Sequence, residues 1–562
     1  MLSDTKLSLL HQLVQSASSE EIIWTNGYLA GLLDKNKLQH KNEPKAEVTV
    51  KPTIIYGTET GNSKKVATGL LAYFKKHKIQ AKAADVFQYD IARLEKESLV
   101  LFVMSTKGEG EFPQNAVAFY ENLQASSTNL SHLSYAVLGL GDASYPLFCN
   151  AGVLLDEVLE QRGAKRLLPL VKSDVDYHEV VVKWQDDLKN VFLNHKQEAV
   201  GTSTIKDSAM GKQNYKGTVS HKIVLNDIGS NKETYHIEID TDEEVQYEPG
   251  DALGIIPKNN SDLINTIVHQ LNAELATEIV IKENKATLGA WLERLNITNL
   301  SKRTIEQIAI LFKTKIEKEK ASLSDILAAY PIPLDVTVQD VLSVLLPIAP
   351  RLYSISSCGE AHNGQVHLTV GLTKFYNNEH LQFGLASHYL ATLATGTDVD
   401  FYIHKNKNFK LSANHTDIIM IGPGTGIAPF RGFISYRDAT GADGKNWLFF
   451  GEQHFVQDFY YQTEIQDWLS SGVLNKLDVA FSRDQREKIY VQDRIRQNGS
   501  EFNDWINKGA TVYICGQKLP MSADVENAII EVIATQRNIS IDDAKAVLEL
   551  METEGRYQKD VY

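Results

Sequence analysis

Cysteine is scarce. The 562 residues hold three, Cys149, Cys358 and Cys515, all far apart in sequence. That spacing excludes a disulfide-stapled scaffold and any CxxC pair, and it leaves no thiolate set able to hold an iron–sulfur cluster. Long apolar runs are also missing. No uninterrupted stretch approaches the roughly 20 residues needed to span a bilayer. Met1–Leu10 lacks the basic-then-apolar order of a secretory signal. Positive charge is the third deficit: 57 Lys+Arg stand against 71 Asp+Glu, a formal net charge of −14. This balance argues against general nucleic-acid binding and for a soluble protein that meets a basic partner. Internal repeats and low-complexity tracts are absent as well. What the chain does have is bulk, with 43% hydrophobic residues over a length that suggests three or four domains. The expectation is a cytoplasmic α/β multidomain protein that engages neither membrane nor nucleic acid.

Two polar segments read as linkers, Lys41–Pro52 with two prolines and the small-residue stretch Glu198–Gln213. They set off a short N-terminal piece, residues 1–40, from the rest. In that piece Leu7, Leu10 and Val14 share a helical face, and Ser18 with Glu21 makes a capping-box signature before Ile22–Leu33. So short a segment cannot bury a core alone and must dock on something. Residues 52–195 alternate apolar strand-like runs (Thr53–Tyr56, Leu99–Val103, Tyr135–Leu140) with amphipathic stretches (Lys64–Lys78, Gln114–Leu123), the pattern of a doubly wound parallel sheet. After a linker at 196–213, residues 214–410 carry alternating antiparallel-type segments, Lys216–Tyr247 and Gln365–Lys374. A mostly helical insertion at about 261–345 interrupts them. Residues 411–562 return to the parallel style, with Asp417–Gly422, Asn446–Gly451, Leu477–Phe481 and Thr511–Cys515.

Chemistry-bearing residues gather at the strand ends, where doubly wound sheets bind ligands. Thr58-Glu59-Thr60-Gly61-Asn62-Ser63 offers hydroxyls and free N–H groups at a helix start, a cradle for a phosphate monoester. No Lys-Ser/Thr pair follows the glycine, which excludes a nucleoside-triphosphate loop. Taken alone, the segment is equally an ordinary capped helix start. Two further loops follow strands: Ser105-Thr106-Lys107-Gly108-Glu109-Gly110-Glu111, and Gly139-Leu140-Gly141-Asp142 running on to Tyr145 and Phe148. Glycines there let backbone approach a flat ring, and Tyr145 can stack on it.

In the C-terminal half, Arg351-Leu352-Tyr353-Ser354 combines a cation for a diphosphate, an aromatic and a hydroxyl. Gly384-Leu385-Ala386-Ser387 precedes a helix and can present N–H groups to the same diphosphate, while Tyr247–Asp251 makes a tight turn. Gly422–Arg431, with Gly424 and Thr425, is glycine-rich without being GxGxxG. A Rossmann site would place an acid at the next strand end. Here Ser482 and Arg483 stand there, with Lys488, Tyr490 and Gln492 behind, which favours a 2′-phosphate and hence NADPH over NADH. An isolated arginine would more simply be a surface ion pair. Cys515 ends a strand, where a thiol is most often a small buried apolar residue and here also suits the lining of a hydride path. Tyr562 ends the chain, as a stacking ring or a frayed end.

The three loops of the middle domain resemble a flavodoxin-like FMN domain. On that resemblance Tyr145 covers one face of the flavin and Asp174 matches the later acidic FMN loop. Lys107 departs from relatives, which often carry an aromatic or a glutamine there. The C-terminal half resembles the ferredoxin–NADP reductase family, an antiparallel β-barrel binding FAD followed by a parallel α/β domain binding NADP. Their order is that of the diflavin reductases. Within these the closest resemblance is to the flavoprotein component of NADPH-dependent sulfite reductases, carried by Trp24–Leu33, Ser105–Ala116, Gly139–Gly152 and Arg556–Tyr562. The resemblance implies FMN, FAD and NADPH as cofactors. It makes Ser354, Cys515 and Asp560 aids to hydride transfer and sets Tyr562 over the FAD ring. It also implies self-association through the N-terminal segment and, as electron acceptor, a siroheme and iron–sulfur hemoprotein subunit that reduces sulfite to sulfide. An acceptor of another kind, such as a soluble cytochrome P450, would use the same flavins. A degenerate assembly subunit without flavin is the reading from a different class. Glu109, Glu111, Asp142, Asp176 and Glu179 either steer a basic acceptor or form a solvated rim.

Overall fold

The apolar runs become sheet interiors. The computed structural model describes residues 51–194 and 214–562, apart from 60, 109, 144, 176, 242–243, 282, 318–320 and 378–379. The expected N-terminal helices, the Trp24–Leu33 run, the second linker and the positions Thr60, Glu109 and Asp176 therefore lie outside the described residues.

The first lobe is a parallel sheet of β1 (Thr53–Gly57), β2 (Lys82–Asp85), β3 (Leu99–Ser105), β4 (Ser134–Leu140), β5 (Lys165–Arg166) and β6 (Val171–Ser173). Its order is β2-β1-β3-β4-β5, with β6 also on β4. Helices α1 (Asn62–Lys76), α2 (Val117–Ala125), α3 (Asn150–Gln161) and α4 (His178–Asn194) cover it. β3 is buried from Leu99 to Met104, as expected of a strand with helices on both faces. The order reverses between β1 and β3, so the loops after those two strands open a crevice at their carboxyl ends.

The second lobe is antiparallel. β7 (Asn214–Val224), β8 (Thr234–Thr241), β9 (Ala252–Ile255), β12 (Arg351–Ser354), β13 (Val366–Gly371) and β16 (Asp398–His404) run in the order β12-β9-β16-β7-β8-β13. A bridge between Ile355 and Leu368 joins the two edge strands and closes the barrel. Between β9 and β12 lie helices α5 (Ser261–Gln270), α6 (Leu288–Arg294), α7 (Lys302–Leu311), α8 (Leu323–Ala329) and α9 (Val338–Ser343), around their own apolar core. The expected insertion is thus helical, with one addition, a hairpin of β10 (Glu278–Ile281) and β11 (Asn284–Thr287). A second hairpin, β14 (Lys374–Asn377) with β15 (His380–Phe383), leads into α10 (Leu385–Thr392).

The third lobe is a parallel sheet, β19-β18-β17-β20-β21, of β17 (Ile418–Ile421), β18 (Asn446–Glu452), β19 (Lys476–Phe481), β20 (Thr511–Gly516) and β21 (Tyr557–Val561). Its helices are α11 (Ala428–Ala439), α12 (Phe455–Asp458), α13 (Gln462–Ser471), α14 (Val491–Gln497), α15 (Gly499–Asn507), α16 (Ala523–Arg537) and α17 (Ile541–Thr553). The chain end is not frayed: β21 pairs with β20 in register Cys515↔Asp560, and the Tyr562 N–H donates to the Gly516 carbonyl at 3.1 Å.

A buried polar seam fixes the barrel to the third lobe. Arg431 on α11 grips Glu464 on α13 with two nitrogens at 2.7 and 2.9 Å, and donates to Ser356 O at 2.8 Å and His367 Nδ1 at 3.1 Å. Such a charge is tolerated inside because each of its three nitrogens finds an acceptor. Burial first, and the Arg431 charge second, hold His236 down at about 3 and His367 down at about 2, so both imidazoles are neutral. His236, Glu238 and His367 bring ligand atoms within 4.8 Å of one another. Because Arg431 donates to His367 Nδ1, the imidazole proton sits on Nε2, and the cluster reads as a structural clasp rather than a metal site.

Candidate active site

The crevice of the first lobe collects the first three loops. Gly61 takes φ +90 ahead of α1, and no side chain caps that helix. Thr58 Oγ1 instead accepts from Gly61 N at 2.9 Å, tightening the turn. Ser63 lies buried there with a hydroxyl that has no protein partner among the described residues. Uncapped N–H groups plus an orphan hydroxyl fit a phosphate group, which would satisfy both. Glu59 bonds Lys107 at 2.7 Å and Gln114 N at 3.0 Å, so Lys107 braces two loops against each other. Ser105 Oγ donates to Gly57 O at 3.2 Å, and Thr106 Oγ1 accepts from Ala151 N at 3.3 Å. Gly108 and Gly110 both adopt positive φ, at 53 and 104. In the third loop a Cβ on Gly141 would stand 2.9 Å from Cys149 N, so only glycine fits beside that strand end. Leu140 is buried, and Asp142, Tyr145 and Phe148 are half-buried along the loop. Asp174 accepts from Ala143 N at 2.9 Å and Val175 N at 2.8 Å, which makes it the clamp between this loop and the one after β6.

In the barrel, Arg351 is exposed on β12 and the only bond of its guanidinium among the described residues is to the Pro350 carbonyl, at 3.4 Å. Gly384 starts α10 with no side-chain cap, while Ser387 Oγ accepts from Thr373 N at 3.1 Å and donates to Gly384 O at 3.0 Å. Leu385 and Ala386 form the first turn, whose N–H groups, with the free Arg351 charge, suit a diphosphate. Tyr353 lies half-buried next to Ser354.

Where barrel and third lobe meet, residues far apart in sequence converge. Ser354 Oγ donates to Asp560 Oδ2 at 2.8 Å, the Cys515 thiol faces the same oxygen at 4.0 Å, and Asn406 Nδ2 reaches Oδ1 at 3.4 Å. Desolvation pushes the Asp560 carboxyl above its ordinary range, partly offset by the Ser354 bond. Burial, with the Asp560 charge adding to it, drives the Cys515 thiol well up, so it stays protonated and is no nucleophile. Tyr562 Oη pairs with Thr425 Oγ1 at 2.6 Å.

A cavity of about 640 Å³ opens beside this cluster and is lined by Gly424, Thr425, Ser482, Arg483, Lys488, Tyr490, Gln492 and Tyr562. The neighbouring acid Asp484 is turned away, accepting from Phe455 N at 2.7 Å and bonding His454 Nδ1 at 2.8 Å. No carboxylate among the described residues pairs with Arg483 or Lys488, so the surface ion pair that an isolated arginine would suggest is not what Arg483 forms. Two uncompensated cations in one cleft fit a phosphate dianion. Sequence reasoning missed Lys232, which comes from the β7–β8 loop to the cavity wall and grips the buried Glu452 at 2.6 and 2.8 Å. No local signal links positions 232 and 452.

A flavodoxin model matches residues 54–184, an FAD-binding domain model matches 208–312 and 292–389, and an oxidoreductase NAD-binding domain model matches 420–527. The sulfite reductase (NADPH) flavoprotein alpha-component of Bacillus subtilis is 36% identical, with 99% of this chain and 97% of that one aligned. The chain belongs to the sulfite reductase flavoprotein alpha-component family. Members from Vibrio parahaemolyticus (38% identical, 100% of this chain and 95% of the relative) and Buchnera aphidicola (34%, 100% and 98%) align equally fully. The expected fold class, a flavodoxin-like domain followed by a reductase module, agrees with the three domain matches, as does the expected set of FMN, FAD and a nicotinamide dinucleotide. Among the described residues no helix is long and apolar enough to cross a membrane.

Proposed function

We propose that this chain is the NADPH-dependent diflavin reductase component of a sulfite reductase, carrying electrons from NADPH through FAD and FMN to a hemoprotein subunit. The observation that carries it is the junction of Ser354, Cys515 and Asp560 beside a cleft with two unpaired cations. Residues 52–195 form the FMN domain, 214–410 the FAD domain and 411–562 the NADP domain; 1–40 serve self-association and the hemoprotein contact.

The flavins supply the chemistry, accepting a hydride from NADPH and releasing electrons singly. Thr58, Glu59, Thr60, Gly61, Asn62 and Ser63 would hold the FMN phosphate. Ser105, Thr106, Gly108, Gly110, Leu140, Gly141, Asp142, Tyr145, Phe148 and Asp174 would surround its ring. Arg351, Tyr353, Ser354 and Gly384–Ser387 would hold FAD. Gly424, Thr425, Ser482, Arg483, Lys488, Tyr490 and Gln492 would hold NADPH. Ser354 and Asn406 fix the two oxygens of Asp560, whose carboxylate would there offset positive charge on a bound nicotinamide. Cys515 contributes a protonated, compact wall to the path. Tyr562, held at its hydroxyl by Thr425 at 2.6 Å, would stand over the FAD ring at the end of this path.

Arg483→Ala tests the dinucleotide assignment. Losing one charge-assisted phosphate contact raises KM for NADPH about 10- to 100-fold and leaves KM for NADH nearly unchanged. Steady-state kinetics with both nucleotides read the difference, and equal effects on the two would remove Arg483 from 2′-phosphate recognition.

A further inference from the structure

Asp484 follows Arg483 directly, just past the end of β19, beside a cleft that suits a phosphate dianion. A carboxylate facing that cleft would repel the phosphate and would instead accept from an unphosphorylated ribose hydroxyl. Both of its oxygens are engaged elsewhere. Oδ1 accepts from His454 Nδ1 at 2.8 Å and Oδ2 from Phe455 N at 2.7 Å. The Phe455 N–H, with His454 adding to it against slight desolvation, holds the carboxyl below the ordinary aspartate range, so it is ionised at neutral pH. An ionised carboxylate only accepts, so Nδ1 of His454 carries the proton.

His454 is itself held in place. Its N–H donates to Asp458 Oδ2 at 3.1 Å, and the buried Asp458 accepts from Ser230 Oγ at 2.6 Å and Asn226 Nδ2 at 2.8 Å, both from the β7–β8 loop. Arg483 N donates to the Gln453 carbonyl at 2.9 Å, which sets the segment of His454 alongside that of Asp484. Gln453 and Arg483 line the cavity, and His454 and Asp484 do not. The restraint at Phe455 is backbone, so His454 is the side chain on which the orientation of the acid depends.

We propose that His454 is a positioning residue for coenzyme choice: it holds the Asp484 carboxylate outside the cleft and so leaves Arg483 and Lys488 free for a 2′-phosphate. The proposal rests on the reading of this cleft as the 2′-phosphate site. His454 acts through Asp484 rather than by contact with the nucleotide. Without it the carboxylate, one residue from Arg483, turns to the nearest unpaired cations and competes with the phosphate for them.

His454→Ala in the flavin-loaded full chain should raise KM for NADPH about tenfold, the scale of one opposed charge-assisted contact. It should leave kcat within about twofold, as for a loss of uniform binding, and should not raise KM for NADH. Calorimetry reads the same effect without turnover: Kd for adenosine 2′,5′-bisphosphate should rise about tenfold, and Kd for 5′-AMP should stay the same. Asp484→Asn keeps an acceptor for Phe455 N without the charge, so His454→Ala/Asp484→Asn should recover the affinity for the bisphosphate. His454→Asn, whose amide N–H can replace Nδ1–H, should keep it throughout. Unchanged bisphosphate affinity in His454→Ala, equal losses for both nucleotides, a double variant as impaired as the single, or a His454→Asn chain that behaves like His454→Ala would overturn the role of His454. An unaltered chain that binds adenosine 2′,5′-bisphosphate no more tightly than 5′-AMP would instead overturn the 2′-phosphate reading beneath it.

Discussion

Asp560→Asn is expected to lower the rate of flavin reduction by NADPH roughly a hundredfold while leaving both flavins bound. The exchange keeps the size of the side chain and removes the charge. Asp560 sits at the meeting point of barrel and third lobe, tied to Ser354 at 2.8 Å and Asn406 at 3.4 Å, with the Cys515 thiol at 4.0 Å. A carboxylate so poorly solvated acts strongly on a cation forming beside it. Its raised value has a second consequence. The carboxyl is ionised and effective above that value and becomes neutral as pH falls through it. Hydride transfer in the unaltered chain should therefore decline on the acid side at a pH above the ordinary aspartate range, and Asp560→Asn should lose that limb. Stopped-flow reduction across pH measures both effects; an unchanged rate, or an acid limb that persists in the variant, would contradict the role.

Gly426→Ala is expected to be nearly as damaging by a wholly different route. A Cβ at Gly426 would stand 2.2 Å from the Cys515 carbonyl oxygen and 2.7 Å from its carbon, both rigid backbone at the centre of the parallel sheet. The loop after β17 must then move outward by about 1 Å, and misplacement on that scale costs about a hundredfold in a positioned reaction. Overpacking of this kind also lowers stability by about 1–3 kcal/mol. FMN content should survive, because Gly426 belongs to none of the three first-lobe loops, while the KM for NADPH rises and flavin reduction slows. Nucleotide titration with urea unfolding separates the two losses, and a variant with normal kinetics would show that the loop accommodates the methyl group.

The parallel sheets were legible because strands covered on both faces must be apolar throughout. The runs at Leu99–Val103 and Thr511–Cys515 lie inside β3 and β20, with ends displaced by no more than two residues. Loop chemistry was legible for a related reason, since ligand-facing residues follow those strands directly. The hairpin β10–β11 escaped because its EIVI and NKAT segments are short and sit among helical periodicity. Long-range pairings escaped altogether. Arg431 with Glu464 and His367, Lys232 with Glu452, and Lys65 with Glu552 join positions that only the folded chain brings together. Asp174 shows the limit from the other side: its position was readable, but its work as a clamp on Ala143 and Val175 needed the fold.

Extraction and counting of flavins from the purified chain, followed by anaerobic titration with NADPH, tests the central claim most directly. Equimolar FMN and FAD, both losing their colour as NADPH is added, is the result this account predicts. A single kind of flavin, or two flavins that keep their colour in excess NADPH, would contradict it.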